Sequence, residues 1–447
     1  MRADVAIIGG GPGGYPAAIR LAREGLRTVL IEQNLLGGEC TNYGCVPSKA
    51  LLRAARLVED LSRHGWISAS ISPEGAFEWA RTAAVAVRKG LYMLMKNAGV
   101  EVVRARAVAV NRGRVYLDNG ESIEYNRALL LATGSIPRAL ELLKIDGKLV
   151  HDNRSIFSLT RIPRSLIIVG AGYVGVEFAY SFASLGTKVD IVEIADRPLP
   201  SMDRSLGLAA ARALKAAGAT LHLRSRIVSA NVSNNNVSLL IASSRSGETE
   251  IRANAVLVAV GRVPAPLPAG LDSVGVRIRD GWVSVDCHMR AADGIYAAGD
   301  ITGPPLLAHK AILQSLVAAD NILGRKSCLD PDTPIPEVVF IRPELVRVEK
   351  RNSSHARRHR IRVDGLARAR IEGEGGFLEI YTDSSGHVSK IVMAFEGASE
   401  LAGLAWSLVA RGATLEEAAS IVFPHPTMSE ALGEALHSAL GRPVHVF

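Results

Sequence analysis

The sequence predicts an α/β protein in which a strand–helix–strand unit occurs twice and is followed by a smaller α+β region. Apolar strands run into glycine-rich turns that open helices at residues 4–25 and again at 166–186. This change from alternating to helical spacing is typical of a βαβ unit. A proline-rich segment, 327–338, then precedes a C-terminal region of mixed strands and helices.

These patterns divide the chain into four predicted segments. We expect the first unit to span 1–145, the second to span 146–265, the first domain to resume over 266–325 and a C-terminal domain to span 326–447. Between the two units the spacing predicts helices over 48–65 and 76–98.

Composition limits the function class. The 447 residues are 48% hydrophobic and include 42 glycines, which fits a folded enzyme rich in glycine loops. No apolar run approaches the length of a membrane span, and the first residues lack the layout of a signal peptide. We therefore expect a cytoplasmic protein with no membrane partner.

The net charge of +8 raises the question of nucleic acid. The dense basic segment, 349–370, has no interleaved aromatic residues for base stacking. We expect a solvated face there, or a docking surface for an acidic partner, and no nucleic-acid binding.

The first glycine loop carries a dinucleotide-binding fingerprint. Gly9, Gly11 and Gly14 follow a strand and open a helix, and Glu32 closes the next strand. The glycines allow a tight turn and close approach of a pyrophosphate to the helix N-terminus, and the carboxylate would accept a hydrogen bond from a ribose hydroxyl. A purely structural turn is the weaker alternative.

The second loop repeats this pattern for a second nucleotide. Gly170, Gly172 and Gly175 are followed by Glu193 at the interval that separates Gly9 from Glu32. A carboxylate there repels a 2′-phosphate and favours NAD over NADP, although Arg197 would soften that preference. Two such sites in one chain suggest electron transfer between FAD and a nicotinamide.

Cys40 and Cys45 lie in the stretch GGECTNYGCVPSK, residues 37–49. A zinc site would need further clustered ligands, which the sequence lacks, so we expect no metal. A structural disulfide closing so small a loop would be unusual in a cytoplasmic protein. A redox-active dithiol beside the flavin, with Lys49 lowering the thiolate pKa values, accounts for the spacing. Cys287 and Cys328 are expected to be separate thiols.

Further motifs occur in the order seen in the flavoprotein disulfide reductases. They are ATGSIP (132–137), GAGYVGVE (170–177), AVGRVP (259–264), GIYAAGD (294–300), LLAHKA (306–311) and HPTMSE (425–430). Together with the cysteine stretch they make the whole chain resemble this family, and within it the members that oxidise dihydrolipoamide. The resemblance implies FAD-binding and NAD-binding Rossmann-like domains and a C-terminal dimerisation domain.

The resemblance also assigns roles to individual residues. Cys40 would exchange with the substrate disulfide and Cys45 would lie against the flavin, beside Lys49 paired with Glu177. Asp300 would hold the ribityl chain of FAD. Further backbone contacts are expected for FAD at Ala107, Thr133, Gly134 and Ala308, and for NAD at Ile227 and Gly261.

His425 and Glu430 would form an acid–base pair that the family supplies from the partner subunit, so the active site would need a homodimer. The implied partner is free dihydrolipoamide, or the lipoyl domain of an acyltransferase or glycine-cleavage carrier. Thr41 and Tyr43 depart from the usual pattern beside the cysteines. The alternatives are an NAD(P)H-dependent reductase of another small disulfide, or a scaffold subunit with a vestigial redox site.

Overall fold

The computed structural model describes residues 1–63, 72–233, 236–244 and 247–445. The helices are α1 Tyr15–Arg23, α2 Gly38–Tyr43, α3 Cys45–Arg63, α4 Pro73–Ala98, α5 Tyr173–Ser184, α6 Arg204–Ala216, α7 Ala308–Ile322, α8 Ala367–Glu372, α9 Ala398–Arg411, α10 Leu415–Ala419 and α11 Glu430–Ala439. Single 3-10 turns occupy Ser155–Ser158, Asp272–Val274 and Asp300–Thr302.

The strands are β1 Arg2–Ile8, β2 Thr28–Ile31, β3 Glu101–Val103, β4 Ala107–Asn111, β5 Arg114–Leu117, β6 Ser122–Leu131, β7 Ser135–Pro137, β8 Val150–His151, β9 Ser165–Val169, β10 Lys188–Glu193, β11 Thr220–Leu223, β12 Ser225–Val232, β13 Val237–Ser243, β14 Gly247–Ala253, β15 Ala255–Val258, β16 Arg262–Pro264, β17 Ile278–Arg279, β18 Trp282–Val283, β19 Arg290–Ala292, β20 Ile295–Ala297, β21 Glu337–Val339, β22 Leu345–Glu349, β23 Arg357–Arg362, β24 Phe377–Thr382 and β25 Val388–Ala394.

The predicted repeat is confirmed. β1, α1 and β2 form one strand–helix–strand unit and β9, α5 and β10 form the other, and the two strands of each unit pair in parallel. The helix expected over 48–65 begins earlier, at Cys45, and is described to Arg63, so residues 64 and 65 lie outside the described residues. The helix expected over 76–98 begins at Pro73.

The first compact unit comprises residues 1–50, 75–138 and 261–331. Its sheet has the order β19-β20-β6-β1-β2-β3, with the hairpin of β4 and β5 joined through β6. Alternate residues of β1 enter two cores: Val5 and Ile7 pack with helices α1 and α7, whereas Ala6 and Ile8 pack on the opposite face. Because both faces are covered there, the central strand is apolar from Val5 to Ile8.

The second unit comprises residues 51–74, 139–260 and 332–447. It contains the parallel sheet β11-β10-β9-β15-β8, the antiparallel sheet β12-β13-β14 and the antiparallel sheet β21-β22-β25-β24-β23. The last sheet packs its apolar face on α9 and α11. The α/β class with a C-terminal α+β region is therefore confirmed, while the cofactor assigned to each predicted segment stays a prediction. No helix in the described ranges is long and apolar enough to cross a membrane.

The two cysteines outside the cysteine stretch are bonded to each other. Cys287 and Cys328 form a disulfide in the first unit, with their Cα atoms 4.9 Å apart. The expectation of two separate thiols is wrong, because the chain leaving α7 returns beside the loop that follows β18. A sequence separation of 41 residues hides this proximity.

Charged side chains anchor the second half of α3 inside the second unit. Arg56 donates through Nη1 to Glu344 at 3.1 Å and to Glu396 at 2.9 Å. Its Nη2 donates to the carbonyl oxygens of Phe340 and Ile341 at 3.0 and 2.9 Å. This half-buried guanidinium therefore joins the helix to the loop before β22 and the turn after β25.

The carboxylate of Glu396 has fewer hydrogen-bond partners than that of Glu344. Glu344 accepts a second hydrogen bond from the Ser399 N–H at 2.8 Å. The Oε2 atom of Glu396 is buried and makes no hydrogen bond with the described residues. Burial accordingly raises the pKa of the Glu396 carboxyl above its ordinary value of 4.5, even though Arg56 lies close by.

We predict opposite effects for Glu396→Gln and Glu344→Gln. A raised folded-state pKa means that the stabilising contribution of Glu396 is present below pH 4.5 and is lost as the pH rises through the folded value. The Glu396→Gln variant does not titrate, so its free energy of unfolding relative to the parent should increase with pH, by on the order of 1 kcal/mol.

Glu344→Gln should instead destabilise by about 2 kcal/mol at neutral pH, because Arg56 and Ser399 lose a charged acceptor. Urea unfolding, measured from pH 4.5, the ordinary pKa of a glutamate carboxyl, up to neutral pH, compares both variants with the parent. A Glu396→Gln variant that loses stability steadily with rising pH would contradict the prediction.

Candidate functional site

The cysteine stretch begins against the first glycine loop. The Gly37 N–H donates to the Gly10 carbonyl at 2.9 Å, and a Cβ added to Gly11 would lie 3.7 Å from the Cα of Gly38. Gly38 is the first residue of α2, the helix that carries Cys40. The first unit therefore brings the first fingerprint and the cysteine pair to one place.

Cys40 and Cys45 form a disulfide at the junction of α2 and α3, with their Cα atoms 4.7 Å apart. Both residues are half-buried. A dithiol can alternate between joined and reduced states only if its sulfur atoms stay within bonding reach. The two helices meet this condition, since only Gly44 separates them.

Asn42 positions this pair, although no motif in the sequence identified it. Its Nδ2 donates to the carbonyl oxygens of Leu36 at 3.0 Å and Gly38 at 2.9 Å, and its Oδ1 accepts from Arg88 Nη1 at 2.8 Å. The residue is only 7% exposed. An asparagine between the two cysteines was the available signal, because an amide that becomes buried there needs hydrogen-bond partners.

Three loops meet at the carboxyl ends of β1, β6 and β20. A Cβ on Gly9 would lie 2.2 Å from the Ala132 carbonyl oxygen, and one on Gly13 would lie 2.7 Å from that of Ala298. These contacts set the first glycine loop beside Thr133 and the turn that contains Asp300. Ligands of open α/β sheets bind at this edge.

The residues present there suit a dinucleotide. The Oγ1 atom of Thr133 is buried and has no hydrogen-bond partner in the described chain, which is the state of a hydroxyl that a ligand would satisfy. Asp300 Oδ2 accepts from Ser135 Oγ at 2.6 Å, and Arg262 Nε donates to the same Oγ at 2.7 Å. Gly134 has the left-handed φ of 76°.

The remaining residues expected to contact FAD begin elements of the same unit. Ala107 is the first residue of β4 and Ala308 is the first residue of α7. Their contacts with a flavin stay predictions.

The second glycine loop lies in the second unit at the end of β9. A Cβ on Gly170 would lie 2.5 Å from the Ala259 carbonyl oxygen, whereas one on Gly172 would meet no atom within 4 Å. The loop is thus tightly packed at its base and open at its middle glycine. Ile227 lies on β12 of the same unit, while Gly261 is the first residue of a first-unit segment. Their contacts with NAD stay predictions.

Glu32 and Glu193 hold the two loops in the same way. Glu32 accepts from the Gly10 N–H at 2.8 Å and the Asn34 N–H at 2.7 Å. Glu193 accepts from the Ala171 N–H at 2.7 Å and the Ala195 N–H at 2.8 Å. Each carboxylate still has acceptor sites for a ribose hydroxyl. The duplication therefore extends from sequence spacing to hydrogen bonding.

His425 and Glu430 are brought together in the second unit. The Nδ1 of His425 lies 2.9 Å from Glu430 Oε1, and the Thr427 N–H donates to Oε2 at 2.9 Å. The imidazole side chain is 67% exposed and the carboxylate only 17%. The carboxylate is fixed at the start of α11 and orients a ring that solvent can reach.

Lys49 and Glu177 lie in different units, on α3 and α5 respectively. Glu177 is buried, with 6% of the residue exposed, and its Oε1 accepts from the Phe340 N–H at 3.1 Å. The predicted pairing of Lys49 with Glu177 stays a prediction.

Two glycine loops on parallel sheets, with a cysteine pair beside the first, define a dinucleotide-dependent disulfide oxidoreductase. A family profile described as pyridine nucleotide-disulphide oxidoreductase matches residues 3–315, and the chain belongs to this family. It is 34% identical to a dihydrolipoyl dehydrogenase of Chlorobaculum tepidum, over 98% of this chain and 97% of the relative. It is 33% identical to dihydrolipoyl dehydrogenase 3 of Pseudomonas aeruginosa, over 98% of each chain.

Solved structures of similar proteins agree with this placement. LpdA of Mycobacterium tuberculosis superposes with a TM-score of 0.89 at 27% identity, covering 98% of this chain and 99% of that one. The HOCl-induced flavoprotein disulfide reductase RclA of Escherichia coli gives a TM-score of 0.86 at 25% identity, covering 97% and 99%. The fold is shared across the whole length.

We predict that Glu193→Gln and Glu32→Gln impair different cofactors. Glutamine has one acceptor oxygen, so one backbone N–H of each loop loses its partner, at about 1–3 kcal/mol. Glu193→Gln should raise the KM for NAD about tenfold with normal flavin content. Glu32→Gln should lower the ratio of FAD to protein, read from the visible absorbance. Each variant is the control for the other, and a shared defect would contradict separate sites.

Proposed function

We propose that the protein is an NAD-dependent dihydrolipoyl dehydrogenase, with FAD at the first glycine loop, NAD at the second and Cys40–Cys45 as the disulfide that exchanges with the substrate. The observation that carries the proposal is the contact of residues 37–38 with the first loop. A redox disulfide has to lie beside the flavin, and this contact supports that arrangement because it holds the start of the cysteine helix against the loop proposed to bind FAD. The relatives' names supply the substrate class.

The site residues present suit both cofactors. Gly9, Gly11 and Gly14 precede or open α1, whose N-terminal N–H groups suit a pyrophosphate, and Gly170, Gly172 and Gly175 do the same for α5. When bound, FAD supplies a carrier that takes two electrons from a dithiol and passes them to NAD as a hydride. Lys49 and Glu177 would steady the charge of that carrier.

The thiol–disulfide exchange needs only the two cysteines of the chain and the two thiols of the substrate. One lipoyl thiolate attacks Sγ of Cys40, the Cys40–Cys45 bond breaks, and Cys45 leaves as a thiolate. The second lipoyl thiolate then attacks the substrate sulfur of the mixed disulfide and releases Cys40. The lipoyl group is oxidised, and two electrons remain on the Cys40–Cys45 dithiol.

His425 would take the thiol protons in this exchange. Its Nδ1–H donates to Glu430, so that Nε2 of the neutral ring carries the free lone pair. The exposure of the ring suits presentation to a second chain. We propose a homodimer in which each subunit supplies this pair to its partner, acting on a lipoyl domain of an acyltransferase or glycine-cleavage carrier.

The first test is anaerobic turnover of the purified protein with dihydrolipoamide, followed by nicotinamide absorbance. We expect NADH formation at about 1–10³ per second, at least tenfold slower with NADP, and loss of turnover in Cys45→Ser. If dihydrolipoamide is inert while NADH still reduces the disulfide, the substrate is another small disulfide. A protein with no thiol-dependent electron transfer would instead act as a scaffold.

The second test separates the histidine from its orienting carboxylate. His425→Gln should lower kcat/KM for dihydrolipoamide by about 10²–10⁴-fold, because the proton acceptor is lost. Glu430→Gln should lower it less, by about 10-fold, because the imidazole remains but is misoriented. Reduction by NADH of a dye that takes electrons directly from the flavin should stay near the parent rate. Equal loss in both assays would point to misfolding and contradict the assignment.

A further inference from the structure

The proposed activity does not use the second cysteine pair. We propose that Cys287–Cys328 is a structural cross-link that joins the two ends of the segment between them, and that it persists in the working protein in addition to the redox-active pair. The enclosed segment contains β19, β20, the turn with Asp300 and the whole of α7. These are the elements that carry two residues expected to hold FAD.

The two disulfides differ in the length of chain they close. Cys40 and Cys45 are 5 residues apart, so their bond removes little freedom from the unfolded chain. Cys287 and Cys328 are 41 residues apart. The entropic stabilisation by a cross-link grows with the length of the loop it closes. The short pair suits exchange chemistry, and the long pair suits stabilisation.

Hydrogen bonds bring the two ends of this segment together independently of the sulfur atoms. The Leu329 N–H donates to the Cys287 carbonyl at 2.8 Å. Nδ1 of His288 lies 2.7 Å from the Ser327 carbonyl oxygen. Both cysteines are therefore flanked by contacts across the same junction. Reduction would leave the thiols side by side, so the folded state favours closure of the bond.

Asn321, at the end of α7, hydrogen-bonds to both chain segments that meet at the disulfide. Its Nδ2 donates to the Ser327 carbonyl at 2.6 Å and to the His288 carbonyl at 3.1 Å. The junction thus contains a side-chain amide, a ring nitrogen and a backbone pair that keep its geometry. A switch would need two arrangements, whereas these contacts specify one.

The exposed position of Cys328 allows the two thiols to be oxidised to the disulfide. Cys328 is exposed and Cys287 half-buried. The Cys328 thiolate attacks a low-molecular-weight disulfide and releases one thiolate. The Cys287 thiolate then attacks the Cys328 sulfur of the mixed disulfide and releases the second. Two protein thiols are oxidised and one small disulfide is reduced to two thiols.

Non-reducing peptide mapping tests the bond directly. The protein is alkylated in its native state with iodoacetamide, digested without reductant and analysed by mass spectrometry. We expect a linked peptide pair containing Cys287 and Cys328. Alkylation of both residues in the protein as purified would overturn the proposal. This readout depends on neither FAD nor substrate, so it is separate from any failure of the proposed function.

Thermal unfolding followed by circular dichroism tests the role. Cys287→Ser/Cys328→Ser should lower the unfolding midpoint by roughly 5 °C with unchanged turnover at moderate temperature. Reducing the parent should give a similar loss, and the double variant should respond less to reductant than the parent does. If the double variant fails to fold, the reduced parent still reports the effect. An unchanged midpoint in both would overturn a structural role.

Discussion

The close approach of two backbone segments, residues 10–11 and 37–38, is the constraint on which the site depends. A Cβ on Gly38 would lie 2.8 Å from the Cα of Gly11, and Gly38 has the left-handed φ of 60°. Gly37 has a φ of 93° and donates to Gly10. Side chains would push the segments apart, so glycine on both sides determines where α2 starts. The positions of both cysteines follow from that start, because only Gly44 separates α2 from α3.

The second glycine loop has the same pattern of hydrogen bonds to a glutamate as the first. Glu193 holds Ala171 and Ala195 just as Glu32 holds Gly10 and Asn34. A carboxylate that already orders its loop through two N–H groups presents a fixed acceptor to a ribose, which lowers the entropy lost on binding. The same residue thus orders its loop and would also recognise the ribose proposed to bind there. The sequence spacing alone indicated only recognition.

Local patterns explain what the sequence could predict. Both strand–helix–strand units, the late strands and helices, and the closeness of His425 to Glu430 depend on short-range spacing, and each was predicted. The junction of Cys287 with Cys328 and the partners of Asn42 depend on distant segments, which composition and periodicity do not reveal. The uneven environments of Glu344 and Glu396 likewise arise only from tertiary packing.

The basic segment has a consequence for solubility. β23 is the last strand of its sheet, and Arg358, Arg360 and Arg362 alternate along it. Glu379, which is fully buried, accepts from Arg358 at 2.6 Å and Arg360 at 3.1 Å. A strand added to this edge would have to pass a row of guanidinium groups, two of them held by Glu379 and that of Arg362 held by Asp364. The strand is thereby guarded against the edge-to-edge pairing that leads to aggregation.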